Sequence, residues 1–178
     1  MKGIQEVGNA EALVGIVPLV PTLPFGEVEW RERHVGSPHK DTETAYLRSI
    51  YGELDYGTVA NELLPNTTDL GKKPEWFALM RWVMRELKLA SLGRVMFVKL
   101  KAGGTVTPHE DSGDYCKRYN RYHIPITTNE HCAVASGADE VVHMEVGKIY
   151  ELANKQTHSA WNYGVTDRIH LIVDGIPL

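Results

Sequence analysis

The sequence predicts a mainly β protein of the jelly-roll kind, an antiparallel sandwich or barrel braced by helices from its N-terminal half. Three observations carry this reading. Beyond residue 94 short apolar runs alternate with Gly, Asn and Asp at strand spacing, and no helical period interrupts them. Eight such runs follow one another, and eight is the strand number with which a jelly roll limits its exposed edges. Before residue 94, by contrast, two stretches carry a helical apolar period.

Taken in order, the run "ALVGIVPLVPTLPF" (12–25) reads as a strand or extended segment packed on the domain. Residues 41–54, "DTETAYLRSIYGEL", read as a helix, with Asp41 or Thr42 as cap and Ala45, Leu47, Ile50, Tyr51 and Leu54 as a broad apolar stripe. Residues 74–90, "PEWFALMRWVMRELKLA", make the strongest helical pattern. Pro74 suits the first turn, Glu75 the positive end, and Gly93 a terminator; Trp76, Met80, Val83, Met84 and Leu87 recur on one face. The eight strands then fall at 94–101, 105–109, 120–126, 131–136, 140–145, 148–153, 158–161 and 168–174. No linker composition separates the parts, so residues 1–178 are expected to form one domain, with 1–93 an elaboration on a core at 94–178.

Composition narrows the partners. A formal net charge of -4, with the two signs mixed along the chain, argues against a nucleic-acid surface. Cys116 and Cys132 are too few for a disulfide framework and suit a reducing compartment. Pro18, Pro21 and Pro24 interrupt the first apolar run, and Glu6 and Glu11 stand where an export signal would carry basic residues. The expectation is a cytoplasmic protein with no membrane partner.

The chemistry concentrates in "TPHEDSGDYCKRYNRYH" (107–123). His109 and Asp111 form a His-x-Asp pair just after a predicted strand. Alone the pair is weak evidence, since a loop histidine and a turn aspartate would look the same. His158 adds weight by opening the seventh strand, because the second and seventh strands of a jelly roll lie close together. Two imidazoles and a carboxylate on one side of a metal leave positions open, as non-haem Fe(II) needs; Zn²⁺ is compatible with the same donors.

Arg168 opens the eighth strand, "RIHLIVD", where alternation sets Arg168 and His170 on one face and Ile169, Leu171 and Val173 on the other. If the apolar set packs outward, Arg168 points into the barrel, where a guanidinium calls for an anion: a ligand carboxylate, or a protein acid at the barrel end. Arg121 and His123 of "RYHIPI" share a face in the same way, either as a second carboxylate site or as rim polar residues.

These stretches resemble the aspartyl/asparaginyl β-hydroxylase family of 2-oxoglutarate-dependent oxygenases. The residues that carry the resemblance are "PHEDSGDY", "NRYHIPI", "VGKIYELAN", "THSAWNYG" and "DRIHLIVD", which together span about 94–174. The resemblance implies a double-stranded β-helix, cupin-like core, Fe(II) as metal and 2-oxoglutarate as cosubstrate with O₂. It implies His109, Asp111 and His158 as iron ligands and Arg168 as partner of the distal 2-oxoglutarate carboxylate. His123 and Arg121 match positions that the family uses for carboxylate binding. The implied activity is hydroxylation of an unactivated C–H bond, in a free amino acid or in an Asp/Asn-type side chain of a peptide. Residues 1–90 carry no signature of the family, so the substrate does not come with the fold.

Other classes compete: a non-catalytic module that binds a metal or small acid, and a zinc hydrolase or isomerase of cupin type. The remaining histidines take plainer roles. His34 and His39 fall in a solvated loop, His131 and His143 in middle strands, and His170, on the face of Arg168, is read as a hydrogen-bonded core imidazole ahead of a pocket-lining one. Glu110 points away from its neighbours and stays out of the ligand set.

Overall fold

The computed structural model describes residues 2–26, 29–49, 65–137 and 140–178, and of 29 and 30 the backbone alone. Two antiparallel sheets face each other. The larger has the order β1-β9-β6-β11-β4-β2-β3 and the smaller β5-β10-β7-β8. Their strands are β1 (Ile4–Asn9), β2 (Thr42–Ser49), β3 (Asn66–Thr67), β4 (Leu89–Leu100), β5 (Thr105–His109), β6 (Asn120–Thr127), β7 (Cys132–Ser136), β8 (Glu140–Val142), β9 (Lys148–Leu152), β10 (His158–Asn162) and β11 (Arg168–Pro177). Of the eight strands from β4 to β11, β4, β6, β9 and β11 lie in the large sheet and β5, β7, β8 and β10 in the small one, the four-and-four division of a double-stranded β-helix. All eight runs expected beyond residue 94 are strands, with β5 matching to the residue.

Alternation decides what lies on each face. Val95, Phe97, Ile124, Leu171 and Val173 leave the large sheet on its outer side and pack under helix α1 (Pro74–Glu86), against Trp76, Leu79 and Val83. Phe97 is fully buried and meets Trp76 edge-on at 5.4 Å between ring centroids. On the inner side Leu100, Tyr150 and Leu152 meet Val106, Val134 and Ala160 of the small sheet. The even-numbered side chains of β11 point into this inter-sheet space, because their odd neighbours are committed to the helix layer.

The N-terminal half differs from expectation in three places. Residues 42–49 form strand β2 rather than a helix; residues 50–54 of that stretch lie outside the described residues. Thr42 and Thr44 are β-branched, Ala45 and Leu47 face the outer core, and β4 supplies a ladder over Thr42–Arg48. That non-local pairing outweighs the local helical pattern. Residues 11–22 form 3-10 turns instead of an extended segment, with Leu13 and Val20 buried on the large sheet. Pro18 and Pro21 lack the N–H groups that a ladder needs.

Helix α1 starts at Pro74 as expected but stops at Glu86. Lys88 turns the chain at φ 50°, and Gly93 lies inside strand β4. A Cβ at Gly93 would sit 2.4 Å from Tyr115 Oη and 3.0 Å from Asp174 Cβ, so this glycine serves a close approach rather than a helix end. Strand β1, which pairs with β9, and the short helix α2 (Gly113–Arg118) had no sequence counterpart. No helix among the described residues is long and apolar enough to cross a membrane.

Candidate metal centre

Strands β5 and β10 are neighbours, and their register sets His109 directly opposite His158. Cross-strand partners on one face bring side chains into contact, and here the two imidazole centroids stand 4.3 Å apart. Asp111, two residues past the end of β5, turns back to the same point. One donor atom from each of His109, Asp111 and His158 lies within 4.8 Å of the others.

The hydrogen bonds around this trio leave one bare donor on each residue. His109 Nδ1 meets the Thr107 carbonyl at 2.8 Å, and His158 Nδ1 meets the Gln156 carbonyl at 2.9 Å. A carbonyl only accepts, so both protons sit on Nδ1 and both Nε2 lone pairs are available, the tautomer that a metal requires. His109 Nε2 is buried with no hydrogen-bond partner, and it faces Asp111 Oδ1 at 3.8 Å. The other oxygen of Asp111 is occupied: Oδ2 accepts from Arg121 Nη1 and from Asn154 Nδ2 at 3.0 Å. Burial alone would push the Asp111 carboxyl up, but the Arg121 guanidinium and the Asn154 amide hold it well below the usual carboxylate range. Burial likewise pushes the His158 imidazole down, so it stays neutral. Two imidazoles anchored through Nδ1 and an ionised carboxylate fit a divalent cation; among the described residues no other group of three shares such a point.

Beyond the trio, Arg168 enters the same cavity from β11. It is 3% exposed, and its Nε and Nη1 are buried without partners. No acid among the described residues lies near enough to repay that burial, which pushes the guanidinium down to about 10. The protein-acid alternative for Arg168 is thus absent among the described residues, and the group is set up for an anion from outside.

Arg121 and His123 also line this cavity from β6, but they differ from each other. Arg121 already holds two carboxylates of the protein, Asp111 and Asp174. His123 Nδ1 lies 3.3 Å from His170 Nδ1, and the Nε2 atoms of both rings are buried and unpartnered. His39, expected in a solvated loop, instead meets His109 edge-on at 4.8 Å and hydrogen-bonds Arg31 at 3.3 Å; nothing in "GSPHK" signals that tertiary contact. His34, His131 and His143 are exposed, and Glu110 accepts from Thr157 at 2.8 Å, away from the trio. Both cysteines are free.

The His123–His170 pair carries a pH prediction. Burial first, then Arg121 for His123 and Arg168 for His170, holds both rings well below the ordinary histidine range. The unfolded chain binds these protons near pH ~6.5 while the folded chain does not, so their contribution is full above that pH. Stability therefore falls as pH drops below it, by up to about 1.4 kcal/mol per pH unit for each ring. Denaturant unfolding of wild type and His170→Leu on either side of the transition checks this. The variant's pH slope should be shallower, and identical slopes would contradict the assignment.

A double-stranded β-helix with His-x-Asp and a later His converging on one point, and a lone buried Arg beyond them, defines the class of Fe(II)/2-oxoglutarate oxygenases. The donor set of the trio fits a divalent metal, and the buried Arg168, with Nε and Nη1 unpartnered, fits an anion. The comparisons agree. A family profile described as aspartyl/asparaginyl beta-hydroxylase matches residues 38–177, and the chain belongs to that family.

A relative, the L-proline cis-4-hydroxylase of Rhizobium meliloti (strain 1021), is 31% identical over 133 residues, 74% of this chain and 46% of that protein. The chain thus spans about half the length of this curated relative. Three solved structures share the fold. A 2OG-Fe(II) oxygenase family oxidoreductase from Burkholderia pseudomallei superposes with a TM-score of 0.67 at 14% identity, covering 98% of this chain and 88% of that one. A prolyl-4-hydroxylase from Pseudomonas putida gives 0.53 at 13%, covering 99% and 93%. The prolyl hydroxylase of Trichoplax adhaerens, in complex with a hypoxia inducible factor peptide fragment, gives 0.56 at 10%, covering 98% and 83%.

Proposed function

We propose that this chain hydroxylates an unactivated C–H bond of a free amino acid or of a short peptide, using Fe(II), 2-oxoglutarate and O₂. The observation that carries the proposal is the convergence of His109, Asp111 and His158 within 4.8 Å beside the unpaired Arg168. Bound Fe(II) with 2-oxoglutarate supplies oxidative decarboxylation coupled to hydroxylation; the protein contributes orientation and exclusion of water.

In this reading His109 Nε2, His158 Nε2 and Asp111 Oδ1 hold the metal. Arg168 receives the far carboxylate of 2-oxoglutarate through Nε and Nη1, both free to donate. His123 lends a second donor to an acid. When His170 Nδ1–H donates to His123 Nδ1, the His123 proton sits on Nε2, so that ring donates as well. Arg121 remains near a bound acid, and its main work is to fix Asp111. The name of the relative makes L-proline the first free amino acid to try, with Asp- and Asn-containing peptides beside it.

The test is succinate release with iron and ascorbate, screened over free amino acids and such peptides. At least one compound should raise succinate above the substrate-free rate and gain one oxygen atom by mass spectrometry. If no iron-dependent succinate forms with or without substrate, the proposal fails.

A further inference from the structure

Behind Asp111 the protein buries more charge than holding a loop requires. Asp174 and Arg121 are cross-strand partners on β11 and β6. Arg121 Nε donates to Asp174 Oδ1 at 2.8 Å and Nη2 to Oδ2 at 3.1 Å, a bidentate pair that leaves Nη1 for Asp111 Oδ2. From β4, on the opposite side of β11, Arg94 Nε donates to Asp174 Oδ2 at 2.9 Å. Tyr115, four residues past Asp111 on helix α2, donates to the same oxygen at 3.1 Å and accepts the Arg94 backbone N–H at 2.6 Å. The side chains of Asp174 and Arg121 are 2% and 8% exposed. Charge alternates along the array: Arg94, Asp174, Arg121, Asp111.

Buried ion pairs are a poor route to stability, because desolvation consumes most of the attraction. What this array provides is direction. Asp174 is fixed by its strand, the bidentate fork fixes the guanidinium plane, and that plane fixes Nη1. Asp111 is then gripped at Oδ2, so Oδ1 is the oxygen left to face His109. We propose that Asp174 is a positioning residue for the metal centre, acting through Arg121 to present a single Asp111 oxygen to the ion. The inference rests on the metal-centre reading of the preceding section.

The test compares Mn(II) binding to metal-free wild type and Asp174→Asn, with the free-ion EPR signal reporting unbound metal. Asn keeps the shape of Asp174 and removes its charge. The expected result is about a 10- to 100-fold weaker Mn(II) affinity in the variant, the usual cost of losing a partner of a metal ligand. Excess iron should then restore 2-oxoglutarate turnover, and at saturating iron the KM for 2-oxoglutarate should stay within about twofold of wild type, because Arg168 is separate from the array. A merely structural role would lower the melting temperature of the metal-free protein without a deficit that metal repairs.

Should Asp174→Asn fail to fold, Tyr115→Phe, which removes one donor from Asp174, should weaken Mn(II) binding in the same direction and by less. A folded variant that binds Mn(II) like wild type overturns the role of Asp174 alone. Wild type that binds no Mn(II) overturns the metal-centre reading and this inference with it.

Discussion

Asp111→Ala and His158→Ala are each expected to reduce iron-dependent decarboxylation of 2-oxoglutarate by on the order of a thousandfold or more, to background. Removing either residue leaves two protein donors at most, and metal-centred stabilisation of several kcal/mol is at stake, with each ~1.4 kcal/mol a factor of ten. The two variants should differ in the metal-free protein. His158 Nδ1 holds only the Gln156 carbonyl, so its loss leaves a small polar gap. Asp111→Ala strands Arg121 Nη1 and Asn154 Nδ2 together. Arg121 keeps Asp174, which limits the damage, yet a buried N–H without an acceptor costs about 1–3 kcal/mol. Asp111→Ala should therefore be the less stable of the two in urea, and near-wild-type turnover in either would remove that residue from the centre.

Arg168→Met should raise the KM for 2-oxoglutarate on the order of a hundredfold, since truncating one side of a buried, hydrogen-bonded charge pair costs about 2–5 kcal/mol. The same substitution should leave the cosubstrate-free fold no weaker than wild type. In that state the guanidinium is buried without a partner, at a desolvation cost that a thioether of similar length does not carry. Opposite signs for binding and stability mark a residue kept for its ligand. An unchanged KM would refute the role, and a steep loss of cosubstrate-free stability would show that Arg168 serves the fold instead.

Much of the core was readable because its information is local. Ile169, Leu171 and Val173 against Arg168 and His170 is a two-residue period, and so is Tyr122, Ile124 and Ile126 against Arg121 and His123. Parity set Arg168 opposite the apolar residues; with Leu171 and Val173 packed under α1, Arg168 faces inward, and Asp174, on the same parity, faces inward as well. That Asp174 meets Arg121 is a matter of register between β6 and β11, which parity leaves open. The sequence offered Arg121 a carboxylate of cosubstrate or substrate, or a place on the rim; its pairing with two acids of the protein, Asp111 and Asp174, was not foreseen.

Residues 42–49 went wrong for the complementary reason. Ala45 and Leu47 suit either a helical stripe or one face of a strand, and the arbiter is the ladder with β4, some fifty residues away in sequence. His39 shows the same limit, since a polar "GSPHK" segment carries no mark of the histidine ring it will touch.

The most direct measurement is an anaerobic titration of the metal-free protein with Fe(II) in the presence of 2-oxoglutarate, followed in the visible region. Wild type should develop the weak charge-transfer band of the chelate at one equivalent of iron, His158→Ala should not, and Arg168→Met should need far more 2-oxoglutarate to reach it. A wild-type protein that takes up iron with no such band, or a His158→Ala protein that shows it undiminished, would contradict the account.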